Sequence, residues 1–288
     1  MVMQNSYIWF NGEYHRTDSP VLNTGNRAFR FGDALFETIH CYGTEPYYLD
    51  LHYKRLTKGL QILEIDKPYS LSQVKLSEVI TRLLNKNRYF GSTRVRVSVF
   101  RNDGGLYTPE SNSSSVIVEC HPLDFKFYHY NQQGLMLGIY NDIAKPVNIL
   151  SSVKSCNALL YVKAGLYRKR NALDECIILN EYGRVAESIS SNVFVVKKGE
   201  IFTPGISEGC IPGVMRQVVI NVARSIGYNV FDDVALNTKI FGTCDELFLT
   251  NAISGIRWVL GLGGNRYFNT ISKQLSAELN RVTFKELI

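Results

Sequence analysis

The sequence contains no CxxC pair. Its six cysteines, at positions 41, 120, 156, 176, 210 and 244, lie far apart, most of them in or beside apolar segments such as "DECIILN". That pattern excludes a disulfide framework and fits reduced, buried thiols in a cytoplasm; no metal site is expected. No apolar stretch approaches the roughly 20 residues that a spanning helix needs. The opening "MVMQNSYIWFNGEY" has neither a basic n-region nor a long apolar h-region, so no secretory leader is expected. Lysines and arginines are scattered rather than gathered into a basic, aromatic-laced face, which argues against a nucleic-acid partner. The net charge of +6 still leaves local positive potential for small anions. Internal repeats and low-complexity tracts are also missing. What remains is a chain of 288 residues, 45% hydrophobic and 20% charged, ordinary for a folded cytoplasmic protein. At about 100–200 residues per domain, it has room for two domains.

"YIWFNGEYH" reads as a hairpin turning at Asn11-Gly12, and "ALFETIHCYGTEPYYL" as another, with Gly43 and Pro46 near the turn. Apolar residues at Tyr53, Leu56, Leu60 and Leu63 mark a helix from Leu49. A second helix opens at "SLSQ", where Ser70 and Gln73 have capping-box spacing, and runs to about Asn87. "STRVRVSVF" alternates strictly, with Val95, Val97 and Val99 on one face and Arg94, Arg96 and Ser98 on the other, which predicts a strand with "VIVEC" as its neighbour. These elements form a small α/β domain over 1–122. The aperiodic "HPLDFKFYHYNQQG" supplies a linker at 123–133. A larger, β-rich domain follows at 134–288, with strands in "LMLGIY", "ECIILNEYGRVAES", "NVFVVKKGEIFTP", "DELFLT" and "IRWVLG". Its helices include "PGVMRQVVINVARSIG", with Val218, Val222 and Ile226 at i,i+4 spacing and a stop at Gly227, and one at the C-terminus. The fold class is α+β.

One lysine fits its surroundings poorly. In "LSSVKSCNALLYVKAGLYRKRN", Lys154 precedes a helix whose face carries Leu159, Val162 and Leu166, and whose start Ser155 or Asn157 could cap. The positive end of a helix disfavours an ammonium, and partial burial adds to that, so the amine would be poised as a nucleophile toward an aldehyde. Taken by itself, a solvent-exposed loop lysine explains the position as well. Three other stretches bear on it. "ISEGCIPGVMRQ" puts a glycine turn before a helix, where the N–H groups of Val214 and Met215 could hold an anion; an ordinary loop-to-helix junction looks the same. Glu187 follows an apolar strand in "GRVAESISSNVFVV", where it needs a partner: a protonated pyridine nitrogen or a structural donor would serve. Arg55 flanks the Leu56/Leu60 stripe, and its fork could reach a phosphate or only cover apolar surface.

Taken in order, "NRAFRFGDALFETI", "LHYKRL", "RNDGG", "VKSCN", "AESISSNVF", "FTP", "GVMR" and "LTNA" resemble the motifs of the class IV aminotransferases, pyridoxal-phosphate enzymes of fold type IV. The first is similar to that family's "RG-x(3)-GDG-x-FET" and the second to its H-x-x-RL. The resemblance spans nearly the whole chain. It implies a two-domain fold like that of D-amino acid aminotransferase, with a small α/β domain and a larger β-barrel-like domain carrying the cofactor lysine. It also implies pyridoxal 5'-phosphate as cofactor, a homodimer, and an active site between the domains. By this resemblance Lys154 binds the cofactor covalently and serves as general base, Glu187 holds the pyridine nitrogen, and Asn192 braces the Glu187 loop. Arg55 clamps the phosphate with the N–H groups of Val214 and Met215 and the Asn251-Ala252 turn. Phe36 and Thr38, the latter catalytic, line the substrate side.

Within the family, "GVMRQ", "TNA" and "FETI" with Thr38 are closest to 4-amino-4-deoxychorismate lyases, which release pyruvate and leave p-aminobenzoate. Branched-chain aminotransferases more often show "FEGIR" and "GITR", and the tyrosine frequent after the lysine motif is Ala158 here. The alternative is a transaminase of branched-chain or D-amino acids using 2-oxoglutarate. Arg96 could bind a substrate carboxylate in either case, or simply occupy a solvated strand face. A cofactor-less relative acting as a binding protein is a remote third reading, opposed by the presence of both Lys154 and Glu187.

Overall fold

A computed structural model describes residues 6–68 and 71–285. They divide into two compact units. One holds the chain up to Lys126 together with Val153–Asn157; the other holds Phe127–Ser152 and the chain from Ala158 onward. The first change of unit therefore falls inside the 123–133 linker segment. The short segment carrying Lys154 belongs to the first unit, which corrects its expected place in the C-terminal domain.

In the first unit the elements are β1 (Tyr7–Phe10), β2 (Glu13–Arg16), α1 (Arg27–Phe31), β3 (Ala34–Tyr42), β4 (Glu45–Pro46), α2 (Leu49–Ile62), α3 (Gln73–Asn87), β5 (Thr93–Arg101) and β6 (Ser114–Pro122). The strands form one sheet in the order β2-β1-β6-β5-β3-β4. Phe10 pairs with Glu13 across Asn11 and Gly12, both at positive φ, the geometry that a tight two-residue hairpin requires. Val95, Val97 and Val99 are fully buried, as their alternation predicts. They pack with Leu35, Ile39 and Val118 against Leu56 and Leu60 of α2 and Ile80, Leu83 and Leu84 of α3. The proposed cap Ser70 lies outside the described residues. The helix is capped by Ser72, whose hydroxyl accepts from Lys75 N at 3.2 Å.

The second unit contains β7 (Leu135–Lys145), α4 (Leu159–Arg170), β8 (Glu175–Asn180), β9 (Val185–Ser188), β10 (Asn192–Lys197), β11 (Glu200–Pro204), α5 (Val214–Ser225), β12 (Val230–Val234), β13 (Glu246–Asn251), β14 (Gly255–Leu262), β15 (Asn265–Arg266) and α6 (Thr270–Thr283). Strand order is β12-β11-β10-β13-β14-β7-β8-β9, with β15 beside β14. Only residues 189–191 join β9 to β10, yet the two strands lie five places apart in that order. A flat sheet would separate them by about 24 Å at ~4.8 Å per strand, beyond the ~15 Å that so short a link can span. The sheet must curl, and its interior is filled by Leu137, Ile177, Val193, Val195, Leu247, Leu249 and Val259. This is the expected barrel-like domain.

Helix α4 departs from its sequence reading. Leu159, Val162 and Leu166 are exposed, while Ala164, Leu160, Tyr161 and Tyr167 pack inward. Its N-cap is Ala158 without a side-chain hydrogen bond, so neither Ser155 nor Asn157 caps it. Because the helix starts at Leu159, Lys154 is not in the turn adjoining its positive end. No helix among the described residues is long and apolar enough to cross a membrane. Ile80→Ala, which empties a fully buried site between α3 and the sheet, is expected to lower unfolding free energy by about 2–5 kcal/mol, read as a shift of the urea midpoint at unchanged slope.

Candidate active site

Lys154 is placed by backbone pairing. Strand β4 covers only the Cys41–Tyr42 end of β3, leaving the outer edge of residues 34–36 open. The Val153–Asn157 segment takes it: Phe36 N donates to Lys154 O at 3.0 Å, Cys156 N donates to Ala34 O at 2.8 Å, and Leu35 and Ser155 form a bridge. Val153 anchors this segment in the core. The Lys154 ammonium lies 4.5 Å from the centroid of the Phe36 ring, and the Arg96 guanidinium lies 3.7 Å from the same centroid. Thr38, two residues on and therefore on the Phe36 face, is in register with Arg96. The structure thus gathers Lys154, Phe36, Thr38 and Arg96 around one strand edge, and Arg96 Nε also donates to Ser98 Oγ at 3.1 Å.

On the other face of β3, Glu37 is buried. Arg55 donates to it twice, from Nε at 2.8 Å and Nη2 at 2.5 Å, and His52 adds a bond at 2.7 Å. Since a carboxylate only accepts, His52 carries its proton on Nδ1. Burial alone would push the Glu37 carboxyl up, but Arg55 and then His52 outweigh it and hold it at about 2. Burial also lowers the His52 pKa, against the pull of Glu37. Arg55 is therefore oriented by a carboxylate. Sequence reading missed Glu37 and His52 as its partners, although both stand inside the quoted "FETI" and "LHYKRL" motifs.

In the second unit, Glu187 on β9 is buried and accepts three donors. The Tyr161 hydroxyl lies 2.6 Å from Oε1, Lys145 Nζ meets the same oxygen, and Ile211 N donates to Oε2 at 2.9 Å. Burial and then the Glu187 charge raise the Tyr161 pKa far above its ordinary value, so its hydroxyl remains a donor. Asn192 Nδ2 donates to Ile211 O at 2.8 Å. Glu187 and Asn192 thus hold the backbone N–H and C=O of one residue, Ile211, ahead of α5. Beside it a Cβ on Gly213 would stand 1.8 Å from Asn192 Oδ1, which requires glycine there. Gly213 is the N-cap of α5 and supplies no side-chain cap, so the helix opens with Val214 and Met215 lacking one.

Next to this helix start, Asn192 is in register with Thr250 of β13. Asn251 accepts from Ile253 N and Ser254 N at 3.0 and 2.8 Å and donates to Ser191 Oγ at 3.0 Å, which fixes the turn that includes Ala252. The buried Thr250 hydroxyl has no hydrogen-bond partner. An uncapped helix start beside an unmatched buried donor suits phosphate oxygens. Lys145 and Tyr161 were missed in the sequence. Lys145 ends a long strand 42 residues before the acid it meets, and Tyr161 lies one turn beyond Ala158.

This fold and these groups define a fold-type-IV enzyme. A sequence model of the family described as amino-transferase class IV matches residues 34–261, and the chain belongs to that family. It is 28% identical over 268 residues to the branched-chain-amino-acid aminotransferase of Escherichia coli strain K12, covering 90% of this chain and 85% of that one. It is 29% identical over 253 residues to the aminodeoxychorismate lyase of Bacillus subtilis, covering 85% and 83%. A crystal structure of the Escherichia coli branched-chain aminotransferase superposes with a TM-score of 0.83 at 27% identity, covering 94% of this chain and 92% of that one. The family uses pyridoxal phosphate.

Glu37→Gln leaves Arg55 and His52 without their buried charge partner, and is expected to cost about 3–5 kcal/mol in urea unfolding. Because the folded Glu37 pKa is depressed, its stabilisation is present above the ordinary carboxylate range and is lost as pH falls toward about 2. The variant's stability should therefore fall less steeply than the wild type's between about pH 4.5 and 2, followed by acid titration of circular dichroism.

Proposed function

We propose that the chain binds pyridoxal 5'-phosphate through Lys154 and acts as a 4-amino-4-deoxychorismate lyase, releasing pyruvate and leaving p-aminobenzoate. The observation that carries this reading is Thr38 on the Phe36 face of β3, in register with Arg96, at the strand edge that also holds Lys154. Here a hydroxyl replaces the glycine of the "FEGIR" pattern.

The cofactor would supply an electron sink for the carbanion left when the substrate α-proton departs. The chain's residues would do the rest. Lys154 Nζ takes the α-proton as general base. Arg96 binds a substrate carboxylate, its guanidinium held against Phe36. Thr38 Oγ1 faces the substrate side as hydroxyl donor. Glu187 takes the pyridine nitrogen at its remaining lone-pair site. Asn192 keeps the peptide before α5 in place. Arg55, the N–H groups of Val214 and Met215, and the Asn251-Ala252 turn hold the phosphate.

A second reading, a transaminase for branched-chain or D-amino acids using 2-oxoglutarate, is favoured by the likeness to the Escherichia coli aminotransferase over most of the chain. A homodimer also belongs to this proposal, supported by the exposed Leu159, Val162 and Leu166 of α4. So does a cytoplasmic setting, supported by six free cysteines.

Incubation with aminodeoxychorismate should yield pyruvate without any keto-acid acceptor, and strict dependence of turnover on 2-oxoglutarate would reverse the choice between lyase and transaminase. The purified protein should show the absorbance of lysine-bound cofactor, and Lys154→Ala should abolish it; a protein that takes up no cofactor would be a binding protein instead. Paired Leu159→Ser and Val162→Ser substitutions should shift sedimentation from dimer to monomer. A chain monomeric before substitution would refute the dimer.

A further inference from the structure

Lys145 has no role in the reading above. It ends β7 at 4% exposure, and its ammonium meets the carboxylate of Glu187 on the side of the sheet that faces α4, beside Tyr161. Both are buried, so the pair is not a solvent-screened surface contact. Three other titratable groups stand on the elements around it. Tyr161, from α4, is a neutral donor. Cys210, from the loop before α5, is a thiol that burial pushes up to about 12. Arg216, on α5, spends its Nη2 on the carbonyls of Pro204 and Asp232. Lys145 is the cation in direct contact with the Glu187 carboxylate, and three of the roughly four acceptor sites of Glu187 are filled.

Resting on the proposed cofactor, we propose that Lys145 is a positioning residue that shares Glu187 with the pyridine nitrogen and so leaves the ring less fully protonated than an unshared carboxylate would. A carboxylate already matched by an ammonium exerts a weaker net field on a further cation than one facing the ring alone. Lys145 thereby tempers the electron sink, and Tyr161 keeps the carboxylate oriented as it does so.

The test is a pH titration of holoenzyme loaded with cofactor carrying nitrogen-15 in the ring, followed by the nitrogen chemical shift in wild type, Lys145→Met and Lys145→Arg. The wild-type ring nitrogen should titrate within the pH range where the protein is folded. Lys145→Met should raise that midpoint by about 1–2 pH units, and Lys145→Arg, which keeps the cation, should leave it near wild type. Superimposable wild-type and Lys145→Met curves would reduce Lys145 to a folding partner. A wild-type nitrogen protonated to the alkaline limit of folding would overturn the proposal without recourse to any variant. Loaded cofactor with unmoved midpoints defeats this inference alone, whereas a wild type that takes up no labelled cofactor defeats the functional reading with it.

Discussion

A carboxylate removed from water must be matched by donors and cations, and two of the buried carboxylates stand among the groups proposed for function or beside them. Glu37 is matched by Arg55 and His52 in the first unit, Glu187 by Lys145, Tyr161 and the Ile211 peptide in the second. Each arrangement fixes a group that the proposed function uses. Glu37 aims the guanidinium assigned to the phosphate, and Glu187 helps to hold the loop that leads into α5. Their burial is expensive unless every partner is present. The same contacts that stabilise the two cores therefore orient the chemistry, and a change in either carboxylate acts on fold and function together.

Backbone pairing does the complementary work for Lys154. A flexible lysine on a loop would spread its amine over many rotamers, but the Val153–Asn157 segment is a short strand on the open edge of β3. Val153 pins it from below, and the Phe36 ring limits where the amine can lie. Ground-state order of this kind is what positions a base within reach of a proton. At the start of α5 the logic is similar: Gly213 is required by the closeness of Asn192, and its lack of a side-chain cap is what leaves the helix start suited to an anion.

Most elements were legible because their period or turn chemistry is local. The alternating valines of β5, the Asn11-Gly12 turn and the Val218/Val222 stripe each predict their own structure, and the ordered motifs named the family. What was hidden depends on distant residues. Nothing near Lys145 in sequence reveals that Glu187, 42 residues away, neutralises it. The Lys154 segment pairs with β3, more than a hundred residues earlier, so local reading assigned it to the wrong unit. The Leu159/Val162/Leu166 stripe has helical spacing, but spacing alone does not say whether a face is covered by its own chain. Two serines stand near the start of α3 in sequence, and Ser72 is the one seen to accept from its first turn among the described residues.

The central claim concerns one amine, that of Lys154, against the buried amine of Lys145. Borohydride reduction of the cofactor-loaded protein makes any linkage between lysine and cofactor permanent, and peptide mass mapping then locates it. A phosphopyridoxyl group on the peptide containing Lys154, and none on the peptide containing Lys145, is the result expected here. Its appearance on Lys145, or on neither, would contradict the account.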